Sequence, residues 1–289
     1  MLTEIDRVLL ATPDTEATAA KWKALLGAQE VSRDALPGLA AKRLTLRLGT
    51  SDIELLEPDG TGAVETALKR RGRAHLFAAG AASPDPGQVA ETARAHGAAH
   101  RAEDGRHYLT LTIENAPIAF VISEPAERKP AGLVDFLYEA TVLAADQAGA
   151  VKQISDAFGL DPATFTTITS EAFGYTGVLT LFEAGKLHRF EVITATAPDK
   201  TLGRYQAREG AGFYMGFCEA SDMGAIERAC AAHGAGITID RPEARPPALN
   251  SDQLWLHPPS LGGMMLGVSR PTMAWNWSGH PERVERIDA

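Results

Sequence analysis

The sequence predicts an α+β fold of four related modules of order β-α-β-β-β, two in each half of the chain, and three observations point to it. Val89-Ala90-Glu91-Thr92-Ala93-Arg94-Ala95-His96-Gly97-Ala98 returns 137 positions on as Ile226-Glu227-Arg228-Ala229-Cys230-Ala231-Ala232-His233-Gly234-Ala235, each copy an amphipathic helix that stops at a glycine. Ile53-Glu54-Leu55 recurs at the same offset as Phe190-Glu191-Val192, both in short apolar runs of strand character. Inside each half lies a shorter period: the helix ending at Gly27 is followed about 70 residues later by the one ending at Gly97, and Gly159 by Gly234 at a similar interval.

In the first module Ile5 to Ala11 is a mostly apolar strand, and Pro13-Asp14 leads into a helix over Ala17 to Leu26, where Ala19, Trp22, Leu25 and Leu26 recur at helical spacing. Extended runs follow around Gln29 to Arg33, Leu39 to Leu48 and Ser51 to Glu57, with Pro37-Gly38 and Gly49 as turns. The second module places a strand over His75 to Ala79, a helix over Gln88 to His96, and strands over His107 to Ile113 and Pro117 to Ser123. The order begins again at Phe136 and at Phe213. Between the halves, Glu124 to Gly132 is charged, rich in proline and without apolar periodicity, so domains are expected over 1–126 and 133–271. The tail, 272–289, departs from the repeat and carries Trp275 and Trp277. It reads as a segment packed on the body, either a lid over a pocket or a clasp that buries an exposed edge.

Composition narrows the functional class. A chain of 289 residues with 45% hydrophobic content has enough apolar material for two packed domains. A net charge of -9 and a pI near 5.4 argue against nucleic acid and anionic membranes as partners, since both call for a clustered basic field. The partner expected is a small molecule, and a homodimer stays open. Two cysteines, Cys218 and Cys230, are too few for a disulfide framework, and with no apolar run of membrane-spanning length the expected location is the cytoplasm. No phosphate loop, dinucleotide fingerprint or serine-hydrolase elbow occurs. Cys218, on an apolar strand, reads as core rather than nucleophile.

Phe190-Glu191-Val192-Ile193, then Leu202-Gly203-Arg204-Tyr205 and Arg208-Glu209-Gly210-Ala211-Gly212 as a linker, then Phe213 to Glu219 and Ser221-Asp222, resemble the vicinal oxygen chelate superfamily of glyoxalases, bleomycin-resistance proteins, methylmalonyl-CoA epimerases and extradiol dioxygenases. Leu256-His257-Pro258 and Gly262 to Leu266 resemble the last hairpin of such modules; Ile5 to Gly27 and Ile53 to Pro58 resemble the first. The resemblance implies two glyoxalase-like domains, each a pair of modules with a curved mixed sheet around a pocket. Metal ligands would come from the first and last strands of each module. By strand position the first half offers Arg7, Glu54, His75 and Val121, and the second Glu139, Glu191, Met215 and Gly267.

Neither set suits a divalent ion. Val121 and Gly267 carry no donor, and Arg7 repels a cation. No cofactor is therefore expected, with a divalent metal kept as the minor alternative. Glu54 and His75 read as an acid/base pair, a residual metal pair or a buried hydrogen-bonded couple. Arg7 either polarises a carbonyl in place of the metal or pairs with Glu54 and holds the cavity shut. Glu139 and Glu191 are expected to face each other, which raises a carboxyl pKa and suits proton abstraction beside a carbonyl, or else leaves a buried pair sharing one proton. Met215 and Trp255 are candidate substrate contacts, since aromatic linings suit flat ligands. His188 should point to solvent; His257 should start a turn, and His96 and His233 should close helices.

These residues point to an isomerase- or lyase-type step on a carbonyl or aromatic compound. The main rival is a metal-free small-molecule binding or resistance-type protein. An extradiol dioxygenase fits least, because the resemblance then calls for two histidines and a glutamate in the second half, where Met215 and Gly267 stand.

Overall fold

The computed structural model describes residues 1–287. The first half runs β1 (Glu4–Ala11), α1 (Thr15–Leu26), β2 (Gln29–Leu36), β3 (Ala41–Leu48), β4 (Ser51–Pro58), α2 (Ala63–Arg71), β5 (His75–Ala82), α3 (Pro86–Ala95), β6 (Ala99–Glu103), β7 (Arg106–Ile113) and β8 (Ala116–Ser123). The second runs β9 (Phe136–Leu143), α4 (Gln147–Phe158), β10 (Thr166–Ser170), β11 (Tyr175–Leu181), β12 (Arg189–Ala195), α5 (Thr201–Glu209), β13 (Gly212–Glu219), α6 (Met223–Ala232), β14 (Ile237–Asp240), β15 (Gln253–Leu256) and β16 (Met265–Ser269).

Two curled, mixed, eight-stranded sheets result, ordered β2-β3-β4-β1-β5-β8-β7-β6 and β10-β11-β12-β9-β13-β16-β15-β14. The second order repeats the first strand for strand, as the long sequence period requires. Each module helix begins the same way: Asp14, Asp85, Asp146 and Asp222 accept from the amides of Ala17, Gln88, Gly149 and Ala225, each meeting one of the free N–H groups of a first turn. His96 and His233 cap the ends of α3 and α6.

Compactness divides the chain differently from the sheets. One unit gathers Met1–Ile5, Ala78–Ala126 and Glu139–Tyr214; the other gathers Asp6–Phe77, Glu127–Tyr138 and Met215 to the end of the described chain. In the first unit α3 packs on α4, and the Phe120 ring meets Phe158, Phe190 and Phe213 edge-on at 4.9, 5.0 and 5.4 Å. In the second α1 packs on α6, and buried Trp22 donates its indole N–H to the Leu261 carbonyl at 3.0 Å.

The segment between the halves is pinned within the second unit. Ala131 bridges Gly49, and Gly132 holds φ at +77° where a Cβ would fall 2.5 Å from the Leu26 carbonyl oxygen, so only glycine fits. The tail is tied down as a clasp would be. Thr272 N donates to Glu219, Arg270 donates to Asp252 and to the Glu285 carbonyl, and the Trp277 ring lies 6.1 Å from that of Phe217.

Two expectations need correction here. The stretch around Leu202 to Glu209, read as a linker, is helix α5, whose polar sequence buries only Leu202 and Gly203. Its counterpart α2, equally polar, gives each half a third helix. His188 does not face bulk solvent; it is half-buried, and its Nδ1 accepts the Ile5 amide at 3.1 Å.

Candidate functional site

In the first half, the inward charges form an ionic network. β1 and β4 run parallel with Arg7 opposite Asp52 and Leu9 opposite Glu54. Arg7 Nε donates to Asp6 Oδ1 at 2.9 Å, and its Nη1 stands 3.7 Å from Glu54 Oε1. Arg43 holds Asp34 at 2.6 Å and approaches Glu54 Oε2 at 3.5 Å. Arg128, from the connecting segment, donates to Asp6 at 2.6 Å and Asp52 at 2.9 Å, and Arg47 donates to Asp52 at 2.7 Å. Burial opposes ionisation of Asp6, yet the Arg7 and Arg128 guanidiniums win and hold its carboxyl below the usual range. Every acid here faces a cation.

Of the anticipated grouping, Arg7 and Glu54 approach each other, and His75 bonds the backbone. His75 Nδ1 lies 2.9 Å from the Arg73 carbonyl oxygen, two residues back at the strand entrance. Burial, against that bond, pushes its pKa down to about 4, and the arginines 71, 70 and 73 push the same way. The imidazole is neutral and turned to backbone.

The second half has the same register with different chemistry. β12 and β9 run parallel with Arg189 opposite Glu139 and Glu191 opposite Thr141. Alternation puts all four on one face. Arg189, with 0% of its surface exposed, donates through Nε to Glu139 Oε2 at 2.7 Å and through Nη1 to the Leu187 carbonyl at 3.0 Å. Thr141 Oγ1 sits between the acids, 3.0 Å from Glu139 Oε1 and 2.9 Å from Glu191 Oε2. Burial first, and then the charge and hydrogen bonding of Glu139, lift the Glu191 carboxyl well above the usual range, while the Thr141 bond and the Arg189 charge pull the other way.

Position for position, Arg7, Asp52, Leu9 and Glu54 in the first half correspond to Glu139, Arg189, Thr141 and Glu191 in the second. The charges at the facing positions are exchanged, and the acid two residues along keeps its identity but stands beside another acid instead of two guanidiniums. Glu54 lies among guanidiniums; Glu191 lies against another acid and a hydroxyl.

Room for Glu191 comes from Gly177 on β11. Its backbone is ordinary, but a Cβ would lie 3.0 Å from Ile168, 3.1 Å from Glu191 Oε1 and 3.2 Å from Ile193. Beyond the carboxyl, Leu143, Ile193 and Leu202 form a buried cluster with Tyr175, Tyr205 and Tyr214 packed on it. Of these residues, Thr141 could have been found from strand alternation after Glu139. A fully buried arginine two residues before Glu191 has no sequence signal, because arginine reads as surface by default.

The other two second-half positions lie in the second unit. Met215 is buried on β13, and Gly267 on β16 is covered by the Phe217 ring, which a Cβ there would meet at 2.3 Å. Trp255, opposite Gly267 across β15 and β16, meets Phe217 edge-on at 6.4 Å, and Tyr138 stacks on Phe217 at 6.0 Å. Aromatic carbon fills the place where a ligand from the last strand would project. Among the described residues no three His, Cys, Asp or Glu side chains form a metal-holding group. The donors present do not fit a divalent ion in either half: the first set holds an arginine, and the second offers a thioether and a bare backbone.

Comparison with solved structures identifies the architecture. A variant of 4-hydroxymandelate synthase from Streptomyces coelicolor matches 98% of this chain and 100% of its own at a TM-score of 0.70 and 13% identity. BphC, a halotolerant catechol dioxygenase, matches 93% of this chain and 87% of its own at 0.60 and 13%. A fusion of a xylose isomerase-like TIM barrel with a 4-hydroxyphenylpyruvate dioxygenase matches 93% of this chain and 49% of its own at 0.62 and 10%. The chain thus has the two-domain vicinal oxygen chelate fold. No protein-family description and no curated protein matches its sequence.

Proposed function

We propose that this chain is an enzyme that moves a proton beside a carbonyl group, in an isomerase- or lyase-type step on a small molecule, and that Glu191 exchanges the proton. The observation that supports this reading is the pair of buried acids joined through Thr141, in which burial and the Glu139 charge raise the Glu191 carboxyl well above its usual range. Protonated Glu191 donates to the carbonyl oxygen. The carboxylate left behind takes a proton from the adjacent carbon, which gives the enol. Return of the proton to a different carbon completes an isomerisation, and expulsion of a neighbouring group completes an elimination. No electron acceptor is consumed. Arg189 keeps Glu139 in place.

The test is solvent deuterium exchange into an aryl methyl ketone such as acetophenone, followed by NMR. Glu191→Gln should abolish exchange and leave the affinity nearly intact. Binding without exchange in the wild-type protein would instead establish the rival reading, a small-molecule binding protein without turnover.

A further inference from the structure

The hydrogen-bond count around Thr141 reaches beyond the reaction type to the charge of the ligand. A threonine hydroxyl has one hydrogen, and Thr141 Oγ1 stands at bonding distance from a carboxyl oxygen on each side, 3.0 Å to Glu139 and 2.9 Å to Glu191. With both acids ionised, one of those contacts would set lone pair against lone pair where Glu191 is only 5% exposed. A single carboxyl proton resolves it. Arg189 donates to Glu139, so the negative charge of the pair belongs there and the proton belongs on Glu191, which donates to Thr141 while Thr141 donates to Glu139. Arg189 and Glu139 then cancel, and the acid facing the apolar cluster is neutral.

Among the described residues the surroundings offer rings, and the cations of the neighbouring helix are engaged. Tyr205 and Tyr214 meet edge to face at 5.1 Å beside Leu143, Ile193 and Leu202. Burial keeps the Tyr214 phenol protonated, its pKa pushed up to about 12. Burial, reinforced by Glu191 and Glu139, keeps Tyr175 protonated as well. On α5, Arg204 donates to the Asp199 carbonyl, and Arg208 pairs with Glu209 at 2.8 Å while lying over the Tyr205 ring at 5.5 Å.

We infer that the second-half site takes an uncharged ketone or aldehyde on an apolar, ring-bearing body and discriminates against the carboxylate-bearing analogue. A ligand carboxylate would enter beside the Glu139 charge without a cation of its own, and like charges brought together out of water repel and weaken binding. A neutral carbonyl brings no such charge and competes with Thr141 for the Glu191 proton. The inference rests on the proposed function for the location of the site, but not on turnover.

The full chain is titrated at pH 7 with acetophenone and with phenylglyoxylate, which share a ring and a ketone and differ in methyl against carboxylate. Acetophenone should bind at least about tenfold more tightly, as like-charge repulsion requires. Equal or tighter binding of phenylglyoxylate overturns the inference, as does failure of acetophenone to bind up to its solubility limit. Infrared spectroscopy tests the proton without a ligand. A carboxylic-acid carbonyl stretch should be present at pH 7, disappear in Glu191→Gln and shift in Thr141→Val; its absence from the wild type overturns the inference. The preference for acetophenone together with no deuterium exchange would defeat the proton-transfer reading and leave the charge selectivity standing.

Discussion

Arg189 and Glu139 lie opposite each other in the parallel register of β12 and β9, joined Nε to Oε2 at 2.7 Å with both side chains shut away from solvent. A pair so placed is costly to break from one side, because the survivor is a buried charge. Arg189→Met should lower stability by about 3–5 kcal/mol. The double variant Arg189→Met with Glu139→Gln should recover much of that loss. Urea denaturation of the wild type, the single and the double variants measures it, and a single variant as stable as the wild type would show that Arg189 does not neutralise Glu139.

Glu191 should set a pH dependence of its own. Its folded pKa is raised, so the unfolded chain gives up this proton near 4.5 while the folded chain keeps it. Stability from this group is complete below 4.5 and falls as pH rises toward the folded pKa, by about 1.4 kcal/mol per pH unit within that window. Glu191→Gln should flatten this limb. Denaturant midpoints collected from pH 5 upward for both proteins give the comparison.

His75 acts with the opposite sign. Its folded pKa lies near 4 against 6.5 for the free side chain, so on acidification the unfolded chain takes up the proton first. Stability should be lost between pH 6.5 and 4, by a total of about 3 kcal/mol. His75→Gln should remove this acid limb and leave the alkaline one in place, and an unchanged acid limb would show that the imidazole titrates freely.

The Phe217 ring over Gly267 predicts intolerance of the smallest side chain. Gly267→Ala places a Cβ 2.3 Å from the ring and should cost about 1–3 kcal/mol through overpacking. Adding Phe217→Leu should relieve most of it. Thermal unfolding of the two variants checks the pair, and additive losses would mean that the two positions do not touch.

The sequence alone determined the architecture of this protein. A period of 137 residues carrying matched helices and matched Ile53-Glu54-Leu55 and Phe190-Glu191-Val192 strands dictates two copies of one sheet, because apolar periodicity and glycine stops act locally. Glu139 and Glu191 are singled out only through the family resemblance, by their strand positions. Tertiary structure decided what each acid meets. Arg7 opposite Asp52 and Arg189 opposite Glu139 depend on strand register, which joins residues about 45 to 50 positions apart and leaves no trace in either strand read singly. The His75 ring shows the same limit: alternation aims it inward, but the nearby Arg73 carbonyl captures it, because a buried ring nitrogen takes the nearest complementary group. Helices α2 and α5 escaped for a related reason, being polar nearly all round and stable only where the fold holds them.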